Sequence, residues 1–405
     1  MNTTTVPALI NNRDYRNLFL AQLTSLAGTG ISSIALALLA YNLAGDEAGK
    51  VLGTALALKI LAYVFLAPVF SNIAQQLPPR LWLSFLDFAR AGLLLFLPFV
   101  TEIWQVYLLI FLINACSAGF TPVYQALLPR VLPDKDQYTR ALSNSRLAYD
   151  LEQLLSPSLA AILLTVMSST SLFVADAFTF IISAALILCC SPAVVSKSPG
   201  NGQSRFHRGL TTGVSTYLKT PELRILLAGY LAVASASAMA IVNTVVYVQE
   251  QLGGGNEETA LAMAVMGSGS MAVALLLPNW LKTHTIQPLL FTGAGLITAT
   301  LLLATTLPDW IAFAALWFTL GAGLAMIQTP SGLLITRAAN DENRNALFAA
   351  QFSLSHACWF ITYLLAGWCS ATVGLETTFL IMSLIALTGL LLMLYLSKGK
   401  RSLSF

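Results

Sequence analysis

Apolar residues in this chain come in long, nearly unbroken runs separated by short polar stretches. The runs lie near 17–41, 51–73, 81–100, 104–126, 145–166 and 171–191. After a polar break they resume near 224–248, 258–281, 286–307, 310–335, 345–370 and 376–396. A helix needs ~20 apolar residues to cross the hydrocarbon core of a bilayer, and every run is that long. Strands of an outer-membrane barrel would alternate polar and apolar positions. Stretches such as LIALTGLLLMLYL, from Leu384 to Leu396, do not alternate. Without water, backbone groups must bond within their own segment, so each run is predicted to be a helix. The pattern predicts an all-α integral membrane protein of twelve transmembrane helices. The first run is too long and too weakly flanked by basic residues to read as a cleavable signal peptide.

Composition narrows the classes. Hydrophobic residues make up 57% of the 405 and charged residues 10%, with a mean hydropathy of +0.74. Soluble domains carry about 25% charged residues, so a soluble enzyme, a disordered chain and a disulfide-rich secreted domain are excluded. No polar stretch is long enough to fold alone beside a membrane anchor. The net charge is +3, and no basic cluster resembles a nucleic-acid surface. Cys116, Cys189, Cys190, Cys358 and Cys369 fall in apolar segments without metal-ligand spacing and are expected to be buried small hydrophobes.

Charge sets the expected orientation. With a cytoplasmic N-terminus, 18 of the 21 Lys and Arg fall in cytoplasmic segments or span ends. Lys59 and Arg90 lie within spans, and Lys50 alone falls outside. That asymmetry is the positive-inside pattern, and it places both termini in the cytoplasm. The longest polar stretch, 192–223, is rich in Ser, Pro, Gly and basic residues and reads as a cytoplasmic linker. It divides the chain into an N-terminal six-helix bundle (1–191) and a C-terminal one (224–405). A faint echo relates the halves: Thr121-Pro122, Arg130 and Asp134 in one, Thr329-Pro330, Arg337 and Asp341 in the other.

Six plus six spans with a central basic loop resemble the major facilitator superfamily. The segments NRDYRNLFLAQLTSLAGTGISSIALALLAYNLAG, LDFARAGLLL with Asp87 and Arg90, ALSNSRLAYDLEQLLSPSLAA, VADAFTFIISAALIL with Asp176, and VYVQEQLGG are similar to its enterobactin and macrolide exporter branch of drug:proton antiporters. The resemblance implies the major facilitator fold. It also implies that spans one and four line a central cavity. Three features depart from the superfamily's patterns, one being that span four has no arginine inside it, so the proton-linked arginine of some antiporters is missing. Between spans two and three, Ser71, Gln75 and Gln76 replace the glycine, acid and base, and only Arg80 fits. The antiporter signature of span five survives as Ser156-Pro157-Ser158-Leu159-Ala160, without its glycines.

Polar stripes on apolar helices should face a wet cavity or another helix. Span one carries Gln22, Ser25, Thr29 and Ser32 on one face, and span four carries Asn114, Ser117, Thr121 and Gln125. The bland role for such a stripe is adhesion between helices. The second half offers Tyr230 and Asn243 in span seven, Gln328 in span ten, and Gln351, Ser355, Trp359 and Tyr363 every fourth residue in span eleven. Aromatics mixed with amides suit a large amphipathic substrate, or ordinary core packing. These fourteen positions, Ser32 aside, form the candidate substrate cavity.

Ionisable groups within spans are costly unless paired. Asp87 and Arg90, at i,i+3, and Arg146 and Asp150, at i,i+4, can pair on their own helices. With Glu152 they are expected to form a cytoplasmic charge network that holds one conformation closed, or, for Asp150 or Glu152, to carry a proton. Lys59 has no acid within four residues; it needs an anionic partner or substrate, or reaches the outer interface. Asp176 is expected near water at the outer end of span six. His356 is the one histidine inside a span and is a packing residue or a proton contact. Pro68, Pro122, Pro157 and Pro330 can kink their helices. Gly267-Ser268-Gly269 and Gly321-Ala322-Gly323 allow close helix approach.

The chain is therefore read as a secondary active transporter working by alternating access, exporting a small amphipathic organic compound such as a siderophore-like metabolite or a drug, with proton coupling. Its expected partners are that substrate, protons and the lipid of a bacterial inner membrane, with no nucleic acid, cofactor or metal, and it is read as a monomer. There is no nucleotide-binding loop and no H-E-x-x-H or G-x-S-x-G motif. The competing readings are an importer, a lipid-acting membrane enzyme and a sensor.

Overall fold

The computed structural model describes residues 9–44, 48–191 and 206–398. Side chains at 37, 40, 41, 48–50, 157, 158, 161, 206–211 and 256 are outside that description. So are the linker segment 192–205, both terminal segments and residues 45–47, which include Asp46 and Glu47. Among the described residues there is no strand. The helices are α1 Arg13–Ala44, α2 Ala48–Ala74, α3 Pro79–Leu94, α4 Ile103–Val131, α5 Lys135–Leu164, α6 Ser169–Leu188, α7 Phe206–Lys219, α8 Pro221–Ala238, α9 Thr244–Val246, α10 Asn256–Thr283, α11 Ile286–Ala304, α12 Trp310–Gln328, α13 Ser331–Ala338 and α14 Arg344–Lys398.

Ten helical stretches among the described residues are long and apolar enough to cross a membrane. Two features explain the difference from twelve. The 55-residue α14 is broken at Gly374, whose φ of 83° lies outside helical space, so it holds two apolar runs. α5, less apolar than the other long helices and carrying Arg146, Asp150 and Glu152, is not among the ten. The polar stretch read as a linker contains the amphipathic helix α7, and Pro221 at the first turn of α8 restarts the chain. Pro330 divides the tenth run into α12 and α13, while α2 and α4 run continuously through Pro68 and Pro122. Side-chain caps begin several helices. Asp134 accepts from the Gln137 amide at 2.8 Å, and Asp309 from the Ala312 amide at 3.1 Å.

The chain forms two compact units. The first comprises residues 1–141, 155–214 and 339–353; the second comprises 142–154, 215–338 and 354–405. In the first, α6 packs on α1 and α3, and α2 on α4. Leu172, Phe173, Ala177 and Phe180 of α6 meet Ala35, Ala91, Leu94 and Leu97 in its core. Gly28 lets α1 approach Asp176 and Thr179 so closely that a Cβ there would collide with both.

In the second unit, α12 packs on α10 and α11. A Cβ on Gly269 would collide with the Phe318 carbonyl, and one on Gly321 with the Met266 carbonyl. Gly293 and Gly323 face each other between α11 and α12. The expected close approach at the glycine pairs is thus present, except that Gly267 faces open space. Tyr247, Phe313, Trp317 and Phe379 form an aromatic core. The Trp317 indole donates to Thr244 at 3.0 Å, and the Tyr247 hydroxyl to the Pro308 carbonyl at 2.8 Å.

Candidate functional site

In the first unit the polar faces of α1 and α4 are partly tied to tyrosines. Tyr124 on α4 donates to the Gln22 side chain and to the Leu18 carbonyl, both at 3.1 Å. Tyr63 on α2 donates to Asn114 Oδ1 at 3.0 Å, while the Asn114 amide donates to its own helix at Ile110, 2.7 Å away. Ser25 and Ser117 also donate to their own helices, at Gln22 and Ile113. Thr29 is exposed, and Thr121 and Gln125 are half-buried. The Lys59 ammonium stands 5.8 Å from the centre of the Tyr63 ring, and that ring lies 4.9 Å from Phe352. Tyr63, Tyr124 and Phe352 were not evident as site residues from sequence. The one signal was the four-residue step from Lys59 to Tyr63.

Deeper in the same unit, Asp87 and Arg90 pair directly on α3, as their spacing predicts. Ser183 donates to the second Asp87 oxygen at 2.7 Å. The Arg90 guanidinium lies between the rings of Phe120 and Phe180, at 4.5 and 4.2 Å. The pair is fully enclosed. Asp176 corrects an expectation. It does not reach water but is 2% exposed and accepts from Thr179 at 3.0 Å, because Gly28 brings α1 over it.

In the second unit, Arg146 ties α5 to α10 and α12. Its Nε donates to Ser270 at 2.7 Å, one terminal nitrogen bonds Gln328, and the other pairs with Asp150 at 3.1 Å. The second Asp150 oxygen is buried and has no hydrogen-bond donor among the described residues. Glu152 is half-buried. Trp359 meets Tyr230 edge-on at 6.4 Å and His356 at 4.6 Å. The Trp359 indole N–H is buried and has no acceptor among the described residues. Asn243 sits in a π-helical turn, Met239–Asn243. Its amide donates to the Ala366 carbonyl at 3.3 Å, and its oxygen has no donor among the described residues. π-turns recur at functional sites because they turn a side chain off the helical register. Ser355 is buried and Tyr363 half-buried. The fourth-residue face of α14 is divided: Gln351 belongs to the first unit, and Ser355, Trp359 and Tyr363 to the second.

Outside these clusters, Arg80 donates to the Cys190 carbonyl at 3.2 Å, and Arg130 to the Asp341 carbonyl at 3.3 Å. Asp341 also pairs with Arg344 at 3.0 Å. The five cysteines are free thiols, but only Cys190 and Cys369 are buried. Cys189 at the end of α6 is exposed, which corrects the expectation that all five are interior.

An all-helical chain of membrane-length helices, with paired charges and polar-aromatic clusters inside them, has the form of a multi-pass membrane transporter. The sequence profile of the Major Facilitator Superfamily matches residues 18–355, and the chain belongs to that family. It is a secondary transporter. It is 24% identical to the uncharacterized MFS-type transporter YvqJ of Bacillus subtilis (strain 168), over 96% of this chain and 94% of that one. It is 23% identical to YkuC of the same organism, over 80% and 78%. Among solved structures, the human organic anion transporter MFSD10 (TETRAN) superposes with a TM-score of 0.79 at 12% identity, covering 96% of this chain and all of that one. FucP, crystallised in the outward conformation, superposes with a TM-score of 0.69 at 15% identity, over 95% and 98%.

Proposed function

We propose that this transporter exports a small amphipathic organic compound by alternating access and that a proton moves in exchange, as in the exporter branch its motifs resemble. The chain would work as an antiporter in a bacterial inner membrane, with both termini in the cytoplasm. The two moving bodies would be the sequence halves 1–191 and 224–405, joined through 192–223. The observation that carries the substrate class is the buried Trp359 indole N–H without an acceptor, set between Tyr230 and His356. A buried donor left unmade is costly, and an oxygen of a bound aromatic or macrocyclic compound would satisfy it. The ring faces would supply apolar area and the indole would set orientation. Ser355 and Tyr363 on α14, and Asn243 in the π-turn that follows α8, extend the candidate surface.

Asp150 supports proton exchange. Its unbonded oxygen is where a proton is held at least cost, and protonation would cancel its attraction to Arg146. The hold of α5 on Ser270 and Gln328 would then weaken. Proteoliposomes with an imposed pH gradient test this reading. Asp150→Asn is expected to abolish gradient-driven accumulation while keeping exchange of labelled for unlabelled substrate. Accumulation at the wild-type level in well-folded Asp150→Asn protein would refute the assignment.

A further inference from the structure

Lys59 is a half-buried cation in the middle of α2, and among the described residues no acid pairs with it. It lies eleven residues after the start of α2 and fifteen before its end, about 16 Å and about 22 Å along the axis at 1.5 Å per residue. Neither end is within reach of a four-carbon stem. Within the first unit α2 packs on α4 and α1. α4 contains no Asp or Glu, and Glu102 stands before its first residue. The acid of α1 is Asp14, in its first turn. The part of α14 that supplies Phe352, from Arg344 to Ser353, contains none. Among the described residues Lys59 forms no ion pair.

What does surround the ammonium is a recognition set. The Tyr63 ring lies 5.8 Å away, its hydroxyl fixed by Asn114, and Phe352 packs on that ring. The hydrogen bond to Asn114 fixes the tyrosine in place, so little order is lost when a ligand arrives. Lys59 is half-buried, so its ammonium has lost part of its water shell, which is costly without a counter-charge. An anion arriving beside it gains an attraction that water screens only in part. A cation would be repelled, and a neutral compound would leave the charge uncompensated. The aromatic rings favour an apolar body attached to the anionic group.

We infer that Lys59, with Tyr63 and Asn114, is the subsite for the anionic group of the substrate. The compound carried is an organic anion, a carboxylate or a phosphate ester on an apolar or aromatic body. This inference rests on the transport reading above and narrows it. Everted membrane vesicles containing the full chain test it with matched dyes: fluorescein, which is anionic, and a rhodamine ester, which is cationic on the same ring system. A fluorescent lysophosphatidate distinguishes a lipid source of the anion from a soluble one.

The wild type is expected to accumulate fluorescein, the lysophosphatidate or both, in preference to the rhodamine. Lys59→Gln should lose this anion transport by roughly tenfold or more, and Lys59→Arg, which keeps the charge, should retain most of it. Wild-type rates in Lys59→Gln overturn the assignment. Equal loss in Lys59→Arg and Lys59→Gln also overturns it, because charge is then not what matters. Transport of the rhodamine alone by the wild type overturns the anion assignment and leaves the export reading standing. Transport of none of the three probes overturns the export reading and this inference with it.

Discussion

At the scale of single residues, the enclosed charges behave differently from the half-open ones. Asp87 and Arg90 have each other, Ser183 and two aromatic rings. Removing one partner leaves an uncompensated buried charge, which costs about 3–5 kcal/mol. Arg90→Leu is therefore expected to lower the melting temperature sharply. The double variant Asp87→Leu/Arg90→Leu should recover much of that loss, since no lone charge remains. A double variant less stable than both singles would show that the pair does more than neutralise itself. The adjacent thiols Cys189 and Cys190 supply a second contrast. Cys189 is exposed, whereas burial and the Asp14 carboxylate push the Cys190 thiol up to about 11. Below that value the thiolate that reacts is scarce. Maleimide at pH 7.5 should label Cys189 and spare Cys190, as read by mass spectrometry of the peptide that holds both.

At the scale of elements, helix contacts are decided by where a glycine meets a carbonyl. Gly269 and Gly321 bring the backbones of α10 and α12 together, while Gly267, two residues from Gly269, faces open space. Gly269→Leu should force the helices apart and reduce the yield and thermal stability of the protein. Gly267→Leu should be tolerated, within about 1 kcal/mol of the wild type. Purification and melting of both variants checks this pair, and similar loss in the two would contradict the packing. The glycine clusters were visible in the sequence. Which glycine of each cluster made the contact was not, because helical rotation about its own axis is set by the neighbour it packs on.

At the scale of the whole molecule, chain order and packing do not coincide. Residues 142–154 of α5 belong to the second unit, held there by Arg146 through Ser270 and Gln328. Arg146→Gln removes the charge and most of these bonds. Hydrogen exchange across 142–154 is expected to rise in that variant, with little change in α6. Unchanged protection of 142–154 would show that apolar packing alone holds the segment. Residues 339–353 are likewise part of the first unit, and there Ser353 donates to the Val64 carbonyl at 2.5 Å.

Twelve apolar runs, their helical character and the family resemblance were all legible in the residues, because lipid leaves a backbone no other way to satisfy its polar groups. Intrahelical pairs such as Asp87–Arg90 and Arg146–Asp150 were legible too, since their spacing alone puts them on one face. Tertiary structure decided which polar groups are enclosed and which stay open. Asp176 is buried because Gly28 admits α1 above it. Among the described residues Lys59 forms no ion pair, because α1 and α4, packed on α2, carry no acid at that depth. The Trp359 N–H is buried with no acceptor among the described residues, and the neighbour α8 meets its ring edge-on with Tyr230. Local sequence sets what a helix carries on each face. Only the neighbouring helices, distant in the chain, determine what that face meets.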